Sequence, residues 1–263
     1  MLHTKESGGL MVNHIFPGKR EPMSKIRKAY FFRLVGRCAV FVICALIWFL
    51  YPEEFDILHG MNFFQKFSPL HLLWGLWIID MVHQVIPAKQ KIALGSQKLF
   101  RQRFKPIRDK INRDALRQYI VSTTKSAYKV MLLWIALGVC IGLLYFADVL
   151  SRKDLFMITV AFYVCDLICV LIWCPFRLMM KNKCCTTCRI FNWDHLMMFT
   201  PMLFIPSFYS WSLFILSLVV WCVWELCVLL YPERFWEHSN DALKCINCTD
   251  KLCTQYCQKL RKQ

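Results

Sequence analysis

Residues 130–175 read VMLLWIALGVCIGLLYFADVL-SRKD-LFMITVAFYVCDLICVLIWCP. Each apolar run is about the twenty residues that cross a hydrocarbon core of about 30 Å at 1.5 Å per residue. Only Ser151, Arg152, Lys153 and Asp154 separate them, so the stretch predicts a tight transmembrane hairpin. Working outward, further apolar runs occupy 31–51, 69–87 and 190–231. The last is long enough for two helices, 190–208 and 211–231, turning near Pro206 and Ser207. Its first half carries Asn192, Asp194, His195 and Pro201, which also suits a re-entrant half-helix covered by protein. Two spans are favoured. The expected fold is therefore an all-α integral membrane protein, a six-helix bundle with a small Cys-rich cytoplasmic module.

Composition agrees with that class. Of 263 residues, 57% are hydrophobic and mean hydropathy is +0.39, too apolar for an ordinary soluble domain. The net charge of +16 could suggest nucleic acid, but the charge is laid down in blocks between apolar runs, as membrane topology requires. With six spans, thirty of the thirty-three Lys and Arg residues fall on one side, leaving only Lys66, Arg152 and Lys153 opposite. Both termini are expected in the cytoplasm, in a plasma (inner) membrane. The first run follows a basic stretch and lacks a small-residue cleavage site, so it reads as a retained signal anchor. The organisation expected is a basic N-terminal segment 1–30, helices one and two in 31–87, a basic amphipathic loop 88–129, the hairpin 130–175, a Cys loop 176–189, helices five and six in 190–231, and a Cys-rich tail 232–263.

Seven of the fifteen cysteines lie outside the apolar runs. Cys184, Cys185 and Cys188 read C-C-x-x-C; Cys245, Cys248, Cys253 and Cys257 read C-x2-C-x4-C-x3-C. Two C-x2-C knuckles, Cys185 with Cys188 and Cys245 with Cys248, supply the four thiolates of a tetrahedral site. Cys184, Cys253 and Cys257 are additional candidates. In a reducing cytoplasm such clusters read as metal-binding or redox-active rather than disulfide-bonded. Zn2+ is the favoured ion, in a structural role or as a docking module for a protein partner. An iron–sulfur cluster is the alternative, although the dense ferredoxin spacing is absent. The other eight cysteines sit in apolar runs as small hydrophobes.

Asp80, His83, Asp166 and Glu225 fall within the apolar runs. A charge at mid-bilayer costs about 3 kcal/mol even on permissive scales, so such groups face protein or water. Together they would serve a transporter or a membrane-embedded enzyme; the bland reading is a hydrogen-bonded packing network. The loop 88–129 holds twelve Lys or Arg against two acids, with apolar residues at helical spacing. Lys98, Arg101, Arg103, Lys105 and Arg108 are therefore candidates for anionic lipid headgroups, and nucleic acid is disfavoured. A scaffold subunit docking through this loop is the third functional reading. Gly138 and Gly142 form a G-x3-G step suited to close helix approach inside the bundle. Phosphate-binding loops, Ser-His-Asp arrangements and H-E-x-x-H helices are not evident.

Overall fold

The computed structural model describes residues 24–86, 104–107, 111–180, 188–244, 247 and 252. Regular structure among them is helical, without a β-strand. The α-helices are α1 (Lys25–Leu50), α2 (Leu70–Val85), α3 (Arg113–Phe146), α4 (Arg152–Leu171), α5 (Phe176–Met180), α6 (Asp194–Phe199) and α7 (Phe208–Leu230). Local signals set their starts. Ser24 accepts from Arg27 N, Asn112 from Asp114 N and Ala115 N, and Ser207 from Ser210 N, while Ser151 and Asp154 form a capping box. Each satisfies amide donors that a helix N-terminus leaves free.

Helices α1, α3, α4 and α7 are long and apolar enough to cross a membrane. Their outer faces carry exposed Phe32, Phe49, Leu132, Phe146, Leu229 and Leu230. Apolar surface of that extent suits lipid and not water, so the chain is a membrane protein. Among the described residues four helices meet that criterion of length and apolarity, two fewer than the six spans expected from hydropathy. Helix α2 has 16 residues, about 24 Å at 1.5 Å per residue, short of a core about 30 Å thick.

Residues 190–208 also depart from a single helix. Pro201 follows α6, and the chain tightens into the 3₁₀ turn Thr200–Phe204. The backbone freed there is enclosed by protein, as lipid demands: Trp193, Phe199, Met202 and Ile205 are buried, and Trp134 Nε1 donates to Met197 O at 3.2 Å and to Thr200 Oγ1 at 3.1 Å. The segment nevertheless runs alongside most of α7. At one end Trp193 Nε1 donates to Glu225; at the other Gly60 N donates to Pro206 O at 3.2 Å and Phe208 N to Gly60 O at 2.9 Å. Gly60 has φ +50°, a conformation that strains any residue with a Cβ. Near it, Arg152 meets His59 between the α1–α2 and α3–α4 connections.

The amphipathic loop expected over 88–129 also ends early. Residues 113–129 belong to α3, a 34-residue helix about 51 Å long, because neither Pro nor Gly interrupts the chain from Arg113 to Leu137. At this end Pro106 bridges to Asn240, Asp241 N donates to Lys105 O, and Tyr119 stacks on Trp236 with centroids 5.9 Å apart. Both Tyr-Pro helix exits use one device. Tyr51 and Tyr231 cap α1 and α7, and the following prolines open 3₁₀ turns that return Phe55 and Phe235 to the interior.

The G-x3-G step of α3 packs on the 3₁₀ turn. A Cβ at Gly138 would stand 2.8 Å from Thr200 Cγ2, and one at Gly142 would overlap the Phe204 ring. Gly142→Leu is expected to lower stability by about 1–3 kcal/mol through overpacking. Gly36→Leu, in open space, is expected to be near neutral. Thermal unfolding in mild detergent distinguishes the two, and equal midpoints would contradict the packing.

Candidate functional site

Four elements bring charged groups to one place inside the bundle. Helix α1 supplies Arg37. Helix α2 supplies Asp80 and Gln84, one turn apart on one face. Helix α4 supplies Asp166 and Tyr163, and α6 opens with Asp194 and His195. Arg37 Nη1 lies 2.6 Å from Asp166 Oδ2 and donates to Tyr163 O at 2.7 Å, while Nη2 stands 3.6 Å from Asp80 Oδ2. Its guanidinium covers the Tyr163 ring at 3.9 Å. His195 sits between two carboxylates, with Nε2 3.5 Å from Asp80 Oδ2 and Nδ1 3.3 Å from Asp194 Oδ1. Gln84 Nε2 faces Asp194 Oδ2 at 3.3 Å and His195 Nδ1 at 3.0 Å.

Three carboxylates face Arg37 and His195, and Arg33, one turn before Arg37, also acts on Asp80. Gln84 Oε1 is buried and accepts no hydrogen bond among the described residues, while Asp194 Oδ1 has the His195 imidazole 3.3 Å away. A cavity of about 240 Å³ adjoins the cluster, with Asp166 and Asp194 in its wall. Its other walls are aromatic and sulfur-bearing, including Trp134, Phe162 and Phe176.

The four membrane residues singled out from sequence therefore separate. Asp80 and Asp166 meet at Arg37. His83, although three residues from Asp80, is exposed, and the histidine of the cluster is His195. Glu225 belongs to another buried group: Arg189 Nη2 lies 2.5 Å from its Oε2, Trp193 Nε1 donates to its Oε1 at 2.8 Å, and Trp224 Nε1 donates to Arg189 O at 3.0 Å. Arg37 and Gln84 were not among the residues singled out from sequence. The only signal for them was helical spacing, Gln84 lying four residues from Asp80.

Of the seven candidate metal cysteines, Cys188 is described and lines the cavity. Cys184, Cys185, Cys245, Cys248, Cys253 and Cys257 lie outside the described residues. Among the described residues no three His, Cys, Asp or Glu side chains are grouped to hold a metal ion. Leu252, next to Cys253, is buried in a cluster that Phe191, three residues from Cys188, packs against. Of the headgroup candidates, Lys105 is exposed, while Lys98, Arg101, Arg103 and Arg108 lie outside the described residues.

The chain matches no protein-family model, no curated protein and no solved structure.

Removing Arg37 would leave Asp80 and Asp166 without their shared cation, a loss of about 3–5 kcal/mol for a buried pair broken on one side. Arg37→Gln is therefore expected to lower the unfolding midpoint sharply, and Arg37→Gln with Asp166→Asn to recover much of it. A double variant no better than the single one would show that the Arg37–Asp166 contact does not set the stability.

Proposed function

We propose that this is a polytopic membrane protein, with six crossings and both termini cytoplasmic, whose buried charge cluster handles a proton or a cation as part of a transport cycle. The observation that carries this reading is the meeting of Arg37, Asp80, Asp166, Asp194 and His195, from four elements, beside a cavity. A packing network has no need to set carboxylates in a cavity wall, and Asp166 and Asp194 stand in this one. Intramembrane acids that face a cavity are the ordinary equipment of proton and cation pathways. The loop between α4 and α6 and the chain after α7 would then form a cytoplasmic clip. A membrane-embedded enzyme would use the same residues, and a scaffold subunit would need none of them.

The test is flux through reconstituted protein. Liposomes with an entrapped pH dye, under an imposed potential and with sodium or potassium on either side, are expected to report movement faster than protein-free liposomes. Asp194→Asn is expected to abolish that movement with yield and detergent elution profile unchanged. Undiminished flux in the variant would remove the cluster from the mechanism, and no flux in the wild-type chain would favour the scaffold.

A second reading concerns the cytoplasmic thiols, and Leu252 packed in the cluster with Phe191 supports it, because that contact draws the tail toward the loop bearing Cys188. We infer a thiolate site built from Cys185, Cys188, Cys245 and Cys248, holding Zn2+ in preference to an iron–sulfur cluster. Anaerobically purified protein is expected to contain about one zinc per chain and no visible absorption band. Cys185→Ser and Cys248→Ser are each expected to lose the metal. Iron with sulfide would identify the cluster instead, and full zinc in both variants would dismiss the site.

A further inference from the structure

The geometry points to the cavity beside the charge cluster as a binding site for a small organic monovalent cation, a substituted ammonium. The assignment rests on the cluster being a working site and names what it receives.

Three features of the walls select that chemistry. The first is charge. Asp166 and Asp194 line the cavity, and among the described residues no Lys, Arg or His does. Arg37 and His195 hold these carboxylates without lining it, so the charged groups on its wall among the described residues are acidic.

The second feature is aromatic. Trp134 stands against Phe162 with centroids 5.0 Å apart and against Phe176 at 6.1 Å, and all three line the cavity with Phe191. Rings around a cationic centre attract it through their quadrupoles, most strongly where water is excluded. An inorganic ion needs several ligating atoms at fixed distances, and among the described residues no three His, Cys, Asp or Glu side chains are so grouped. An alkylated ammonium needs apolar walls for its methyl groups and a diffuse negative field for its charge, and both are present.

The third feature is size. About 240 Å³ corresponds to the liquid volume of about eight waters. Tetramethylammonium and choline are of a size for that space. Cys174, Cys188 and Ile190 also line the cavity, placing it toward the end of the molecule that carries Arg189 and Glu225. A ligand would enter from the side proposed as cytoplasmic.

The test uses the full chain in mild detergent, titrated with choline and read by tryptophan fluorescence and calorimetry. Saturable binding is expected, with competition by tetramethylammonium. The neutral isostere 3,3-dimethylbutan-1-ol, with the same shape and no charge, is expected to bind about tenfold more weakly or less. Asp194→Asn should weaken choline by a similar factor. Phe162→Leu, which leaves every member of the charge cluster in place, should weaken it too, so the outcome does not depend on the acid variant folding. Equal binding of charged and neutral compounds, or no saturable binding by the folded wild-type chain, overturns the assignment. Ammonium binding by a protein that moves no ion in liposomes sustains the cavity site while the transport reading falls. Proton or cation flux with no ammonium binding does the reverse.

Discussion

The Arg37 ion pair is the contact on which the arrangement of the bundle depends. Lipid chains are as apolar as leucine, so burial of apolar surface gives helices little reason to associate within a bilayer. Helix α1 shows the consequence: of its 26 residues only Tyr30, Leu34 and Cys44 are buried. Its position rests on polar contacts at its middle and near its C-terminal end. Arg37 binds Asp166 of α4 and approaches Asp80 of α2; near the C-terminal end Trp48 Nε1 donates to Asp154, the capping residue of α4, at 3.1 Å. A guanidinium held among apolar helices cannot leave its carboxylates without losing about 3 kcal/mol or more. The pair therefore fixes the rotation of α1, which its uniformly apolar surface does not.

The broken segment α6 and its 3₁₀ turn are the second constraint, and they explain features that look unrelated in the chain. A short irregular element in the middle of a membrane protein has carbonyls that neighbours must satisfy. Trp134 of α3 reaches Met197 O and the Thr200 hydroxyl, and the absence of side chains at Gly138 and Gly142 lets α3 approach closely enough to do so. The same break places Asp194 and His195 inside the protein, opposite Asp80 and Gln84. A continuous helix through 190–208 would have carried these side chains round its axis at 100° per residue, against a neighbour set by its own stripe. The irregularity is thus what delivers the fourth set of charged groups to the cluster.

Much of this was legible in the chain, and the exceptions have physical causes. The long helices could be read because about twenty apolar residues between polar caps have one stable arrangement in lipid. Asp80 and Asp166 stood out because charge within such a run is costly. Depth along a helix can be read by counting residues, but azimuth relative to other helices cannot. For that reason Glu225, of similar appearance, was grouped with them although it pairs with Arg189, and His83 was preferred to His195. The extent of α3 was misjudged because polar composition was taken to end the helix, whereas only a helix breaker or a competing cap does so. The loss of regular helix near Pro201 had a visible sign in that proline and in the polar residues before it, and a re-entrant path was among its readings.

The two buried charge groups differ in a way that separates a fastener from a site. Glu225 meets one cation, Arg189, and receives a second donor from Trp193, while Trp224 covers the arginine through its carbonyl. One acid, one base and two indoles make a neutral unit, suited to locking α7 to the start of the broken segment. The Arg37 group joins three acids to Arg37 and His195, with Arg33 also acting on Asp80, and two of its acids stand in a cavity wall. Cys188 and Ile190, on either side of Arg189, line the cavity that reaches Asp166 and Asp194. The two groups therefore share a wall, and anything that moves the loop carrying Cys188 also reshapes the space that Asp166 and Asp194 line.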